Sequence, residues 1–132
     1  GCFMLRNFFR KMTNHSDGYL GEQLAEQWLS DHGFTIITKN YRYRKWEIDI
    51  ISKQGDLLIF VEVKLRRTSL FGEPWRFVNR KKQAFLCTAA HHYVQKKQFV
   101  GEIRFDIISI LPGAQNTWEI THIQDAFRPE LI

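Results

Sequence analysis

With 132 residues, 44% of them hydrophobic and 14% aromatic, the chain has apolar material for one packed core and too little length for two. Charged residues at 25% are ordinary for a globular domain and exclude a disordered composition. The net charge of +5 is uneven: residues 39–82 carry 12 of the 19 Lys/Arg and 5 of the 14 Asp/Glu, an excess of +7 that leaves the rest at −2. A local positive excess attracts a polyanion through phosphate neutralisation, although a solvated surface has the same composition.

The opening GCFMLRNFFRKM is apolar and basic, with uncharged runs too short to cross a membrane and no small-residue cleavage site after it. Residues 1–16 are therefore expected to be an arm or short amphipathic helix packed on the domain, without stable membrane association. The domain itself is expected over 17–128, with 129–132 as a tail. Cys2 and Cys87 form no CxxC or Cys/His cluster, which argues against a disulfide framework or zinc and for a reducing, cytoplasmic setting.

From Asp17 to His32, Leu20, Leu24 and Trp28 recur at helical spacing beside Ala25 and Leu29, and Gly33 marks the stop. FTIITKNYRYR and WEIDIIS are β-branched and aromatic and read as strands. Lys53-Gln54-Gly55-Asp56 is a turn signal, and LLIFVEVKLR is a third strand whose apolar start suits the sheet centre. A loop over Arg67 to Phe77 follows, then a helix from about Val78 to Lys97 with Phe85, Ala89 and Tyr93 on one stripe. IRFDIISI and TWEITHI are strands divided by Pro112-Gly113-Ala114-Gln115-Asn116. The order is αβββαββ, an α/β (α+β) domain.

The second and third strands carry the chemistry. A turn centred between Gln54 and Gly55 puts Glu47 opposite Glu62 and Asp49 opposite Phe60, and period-two alternation then sends Glu47, Asp49, Glu62 and Lys64 to one face. Three carboxylates on one face repel unless a cation lies among them. All-oxygen ligation suits Mg²⁺, with Mn²⁺ an equivalent. Lys64 would stabilise charge on a phosphate. A cross-strand Glu47–Lys64 salt bridge on a solvated face is the plain alternative, and spacing alone does not displace it.

Asp49 followed thirteen residues later by Glu62-Val63-Lys64 resembles the PD-(D/E)xK nuclease signature. The chain from Gly18 to Phe127 is similar to the YraN-like family of small bacterial proteins, related to archaeal Holliday-junction resolvases. The resemblance rests on Gly21-Glu22-Gln23-Leu24-Ala25, Lys39-Asn40-Tyr41-Arg42, Glu47-Ile48-Asp49, Phe60-Val61-Glu62-Val63-Lys64, Lys82-Gln83, Arg104-Phe105-Asp106 and Asp125-Ala126-Phe127. It implies a restriction-endonuclease-like fold, with a four-stranded mixed core sheet flanked by helices. It also implies a catalytic set of Asp49, Glu62, Lys64 and Glu22, with Glu26 the alternative helix glutamate. The metal would be held by Asp49, Glu62 and the Val63 carbonyl. One departure stands out: Trp46 replaces the glycine usual before Glu-Ile-Asp, and would either crowd the groove or offer a stacking platform to an unpaired base.

The function expected is a Mg²⁺-dependent endonuclease acting on DNA, including branched or repair intermediates. The alternative is a nucleic-acid-binding accessory module with little or no turnover. Nucleic acid would meet Arg42, Arg44, Lys45, Arg66, Arg67, Lys81, Lys82 and Gln83, and resolvase-like symmetry implies a homodimer. His91 and His92 point about 100° apart on a helix and cannot act as a metal-binding i, i+4 pair. His15, His32 and His122 are expected to cap or bond locally.

Overall fold

The computed structural model describes residues 14–68 and 78–128. Residues 1–13 of the expected 1–16 arm, the tail over 129–132 and residues 69–77 of the expected loop lie outside the described residues. The first helix, α1 (Asn14–Asp31), starts three residues before the expected Asp17. It stops where Gly33 turns to φ +87, with the Phe34 N–H donating to Leu29 O at 2.9 Å and the Gly33 N–H to Ser30 O at 3.4 Å. Those two bonds satisfy carbonyls that the last turn leaves open.

Strands β1 (Thr35–Tyr43), β2 (Trp46–Gln54), β3 (Leu57–Leu65), β4 (Ile103–Pro112) and β5 (Trp118–Phe127) lie side by side in chain order. The first three form the expected antiparallel meander, β4 runs parallel to β3, and β5 is antiparallel to β4. A parallel step needs a crossover, and α2 (Arg80–Lys96) supplies it. The order αβββαββ is as the sequence predicts and is consistent with a restriction-endonuclease-like fold; the sheet has five strands, one more than the core the resemblance implied.

Each helix covers one face. Ala25 and Leu29 of α1 pack on Phe34, Ile50, Ile59, Val61, Leu65, Ile108 and Ile110. Leu86, Ala89, Ala90 and Tyr93 of α2 pack on Ile48, Ile51, Leu58, Phe60, Phe105 and Phe127. Central β3 is buried on both sides from Leu58 to Glu62, which is why its apolar run is continuous. Each buried apolar side chain of that run, Leu58 to Val61, contributes roughly 1.5–3 kcal/mol by burial. The second helix begins at Arg80, later than Val78, because the Asn79 side chain accepts the Lys82 N–H at 2.9 Å and fixes the cap.

Two corrections concern the β2–β3 hairpin. Its turn is Gly55-Asp56, with Gly55 at φ +61 and Gln54 paired to Leu57, so the ladder runs through Ile51↔Phe60 to Ile50↔Val61. Every pairing is therefore two residues from the expected one, since Gln54 extends the strand instead of entering the turn. The second correction is to the shared face. Ile50 packs beneath α1, yet Ile48, two residues earlier, packs beneath α2. On β1, Asn40 at φ +54 separates Lys39, paired with Ile50, from Tyr41, paired with Ile48. Both strands exchange faces at the Asn40 and Asp49 level. Glu47 consequently turns toward α1, while Glu62, next to Lys82, lies toward α2.

Candidate metal centre

Asp49 sits at this exchange. Val63 is the next β3 residue whose N–H points toward β2, because the alternate residues Leu58 and Arg66 donate toward the β4 side, to Glu102 O and Ile110 O. An ordinary ladder would offer it a backbone carbonyl. Here the Asp49 carboxylate accepts it instead, Oδ2 at 2.8 Å. The Val63 carbonyl is directed to the same side as its N–H, toward Asp49.

On the α1 side, one carboxylate oxygen each from Glu22, Glu47 and Asp49 lies within 4.8 Å of the others. Asn40 holds this group together. With its amide nitrogen facing the carboxylates, Nδ2 donates to Glu22 Oε1 at 2.6 Å and to Glu47 Oε1 at 2.8 Å. Burial, the negative charge of Asp49 and that of Glu47 push the Glu22 carboxyl up to about 7, against the opposing hydrogen bond from Asn40. Glu26 points elsewhere, paired to Lys39 at 2.9 Å, so Glu22 is the helix glutamate at the centre.

On the α2 side, Glu62 is 5% exposed and its Oε2 has no hydrogen-bond partner among the described residues. Burial first, then the charge of Asp49 and a hydrogen bond with it, raise its carboxyl well above the usual range. Lys82 Nζ, at 3.7 Å from Oε2, and the charge of Lys64 oppose that rise. An orphaned buried carboxylate oxygen is costly, and a cation would remove the cost. The donor set is all oxygen, which fits Mg²⁺ or Mn²⁺.

The remaining predicted residues divide by place. Lys82 reaches the centre, whereas Gln83 Nε2 donates to Val78 O at 3.0 Å and braces the start of α2. Arg42 is exposed and sits across the ladder from Glu47. The Arg44 guanidinium lies 5.3 Å from the Tyr43 ring centroid, Lys45 Nζ 4.7 Å from that of Trp46, and Lys81 Nζ 5.9 Å from that of Phe85. Arg66 donates to Leu65 O, and Arg67 forms a two-pronged pair with Asp17 at 2.7 and 3.1 Å. Trp46 stacks on Phe85 at 3.7 Å, with Lys45 near its ring, and thereby ties the β1–β2 hairpin to α2.

Sequence reasoning missed Asn40 as a member of the centre, and it grouped Glu47 with Asp49 and Glu62, with a Glu47–Lys64 salt bridge as the alternative. Glu47 is joined to Asn40 instead of Lys64. It also placed His122 in local bonding. His122 instead contacts the fully buried Asp106 at 2.8 Å and receives the Trp28 Nε1–H at 3.4 Å. Burial pushes the Asp106 carboxyl up, but His122, the Arg104 fork and the Asp125 N–H together hold it below its ordinary value. His92 contacts the Tyr41 hydroxyl through Nδ1 at 2.8 Å, at the edge of the core. Among the described residues, no helix is long and apolar enough to cross a membrane.

These features define a small mixed-sheet domain built around a carboxylate-rich centre shared by α1, β1, β2 and β3. The chain belongs to the uncharacterised protein family UPF0102, whose profile matches residues 21–110. It is similar to a UPF0102 protein of Christiangramia forsetii, 45% identical over 117 residues that cover 88% of this chain and 98% of the relative. A UPF0102 protein of Dictyoglomus turgidum is 43% identical over 120 residues, covering 88% and 100%. One from Clostridium kluyveri is 40% identical over 117 residues, covering 87% and 96%.

Proposed function

We propose that this protein is a metal-dependent endonuclease of the PD-(D/E)xK superfamily that hydrolyses phosphodiester bonds of DNA in the cytoplasm. The observation that carries the reading is Asp49, whose carboxylate joins the Glu22–Glu47 group on one side to the buried Glu62 on the other. Asp49, Glu62 and the Val63 carbonyl would hold Mg²⁺ or Mn²⁺, with Glu22 and Glu47 adjoining. When bound, the ion supplies Lewis acidity and offsets charge on a phosphoryl group. Lys64 adds positive charge at the same end of β3. Glu22, with its carboxyl at about 7 in the metal-free chain, holds or releases a proton near neutral pH.

One observation favours the accessory-module reading: Lys82 already stands 3.7 Å from Glu62, a built-in cation that partly neutralises the carboxylate. Incubation with Mg²⁺ or Mn²⁺ and a panel of branched, flapped, single- and double-stranded DNA separates the two. Cleavage lost in Asp49→Ala and Lys64→Ala supports the enzyme. DNA binding with no cleavage of any substrate supports the module.

A further inference from the structure

A cleft of about 570 Å³ opens where the N-terminal half of α1 passes the end of β3, beside the acidic centre. Its lining includes Asp17, Gly18 and Gly21 from the helix and Lys64, Arg66 and Arg67 from the strand end. Arg66 and Arg67 against one carboxylate give it a positive balance, while the Lys64 side chain alternates to the Glu62 side of β3. Among the described residues, a Cβ at Gly18 would meet nothing within 4 Å, which leaves the helical wall bare there. Asp17 is the one anion among the six, and it is held by Arg67 through Nε at 3.1 Å and Nη2 at 2.7 Å. That fork is the arrangement in which a guanidinium grips a phosphate.

We infer that this cleft carries the phosphodiester backbone of the bound nucleic acid beyond the metal centre, and that Asp17 occupies the place of a phosphate on Arg67 until the backbone displaces it. The inference rests on the nuclease reading and extends it to a second contact zone. Arg67 retains a 36% exposed side chain, so incoming phosphate reaches it from solvent, while Asp17 is 19% exposed and guards the inner side. Because Asp17 competes with substrate, its charge lowers affinity. The bare wall at Gly18 keeps the path open for a sugar-phosphate chain.

The test uses the full chain and a 20-base-pair DNA duplex, with Ca²⁺ in place of Mg²⁺, and reads affinity against salt. Asp17→Asn is expected to tighten binding several-fold. Gly18→Glu puts a carboxylate into open space and is expected to weaken binding about tenfold and reduce the salt slope by about one, as for loss of one phosphate contact. Gly18→Lys, of similar bulk and opposite charge, is expected to bind at least as tightly as the parent. If the parent binds DNA and all three variants match it, the cleft assignment falls while the nuclease reading survives. If the parent binds no DNA, both fall. Mn²⁺ titration of each variant is expected to match the parent, since none of the changed residues belongs to the metal centre.

Discussion

The Asp49 carboxylate takes the Val63 N–H at 2.8 Å, the bond that a backbone carbonyl of β2 would take in an uninterrupted ladder. One side chain therefore closes the sheet and anchors the acidic centre. These duties separate on substitution. Asp49→Asn keeps an acceptor for Val63 and removes a charge, so its metal-free melting temperature should equal or exceed that of the parent while Mn²⁺ no longer raises it. Asp49→Ala leaves the amide unpaired and should cost about 1–3 kcal/mol. Melting curves with and without Mn²⁺ check both.

Glu22 and Glu62 set the pH dependence of the metal-free protein. Their carboxyls are raised in the folded state, Glu22 to about 7. Between the ordinary value of 4.5 and the raised one, the native chain binds more protons than the unfolded chain, so stability falls as pH rises through this window. Denaturant midpoints should decline from pH 4.5 to 7, and Glu22→Gln should flatten the decline. A slope unchanged by that substitution would refute the assignment. Asp106 acts oppositely: its lowered carboxyl contributes stability that is lost only as pH falls toward and below its ordinary 3.8.

Asn40 combines a left-handed backbone with the amide that bridges Glu22 and Glu47. Asn40→Gly should keep the fold and lose the bridge, weakening Mn²⁺ binding several-fold. Asn40→Val should also carry the cost of a side chain in the left-handed region, about 1–2 kcal/mol. Calorimetric metal titration alongside urea unfolding distinguishes the two contributions.

Trp46→Gly removes the stack on Phe85. The hairpin loses its tie to α2, at a cost of about 2–4 kcal/mol. The acidic centre does not contain Trp46, so Mn²⁺ affinity should stay within about twofold of the parent at temperatures where the variant is folded. A large loss of affinity without unfolding would mean that the indole shapes the centre directly.

Element order was legible because helical and strand periods are local: Leu20, Leu24 and Trp28 on one helix, Leu58 to Glu62 in one buried strand. The hairpin register was not, because a turn signal spanning four residues cannot say whether Gln54 belongs to strand or turn. Face alternation failed at Asn40 and Asp49, since counting in twos assumes a continuous extended backbone and Asn40 leaves it at φ +54. The Trp28–His122–Asp106–Arg104 network joins α1, β4 and β5, and no local pattern encodes such contacts. The ordered motifs identified Glu22 as the helix member where periodicity offered Glu26 equally.

Gly21 bears on that last point. A Cβ at this position would lie 3.2 Å from the Leu65 Cβ and 3.4 Å from Val63 Cγ1, so α1 rests against β3 at a distance only a bare Cα permits. Glu22 is the very next residue. A single missing methyl group thus acts as a spacer gauge: it sets how far the helix stands from the sheet, and so whether a glutamate on the helix can reach an aspartate on β2.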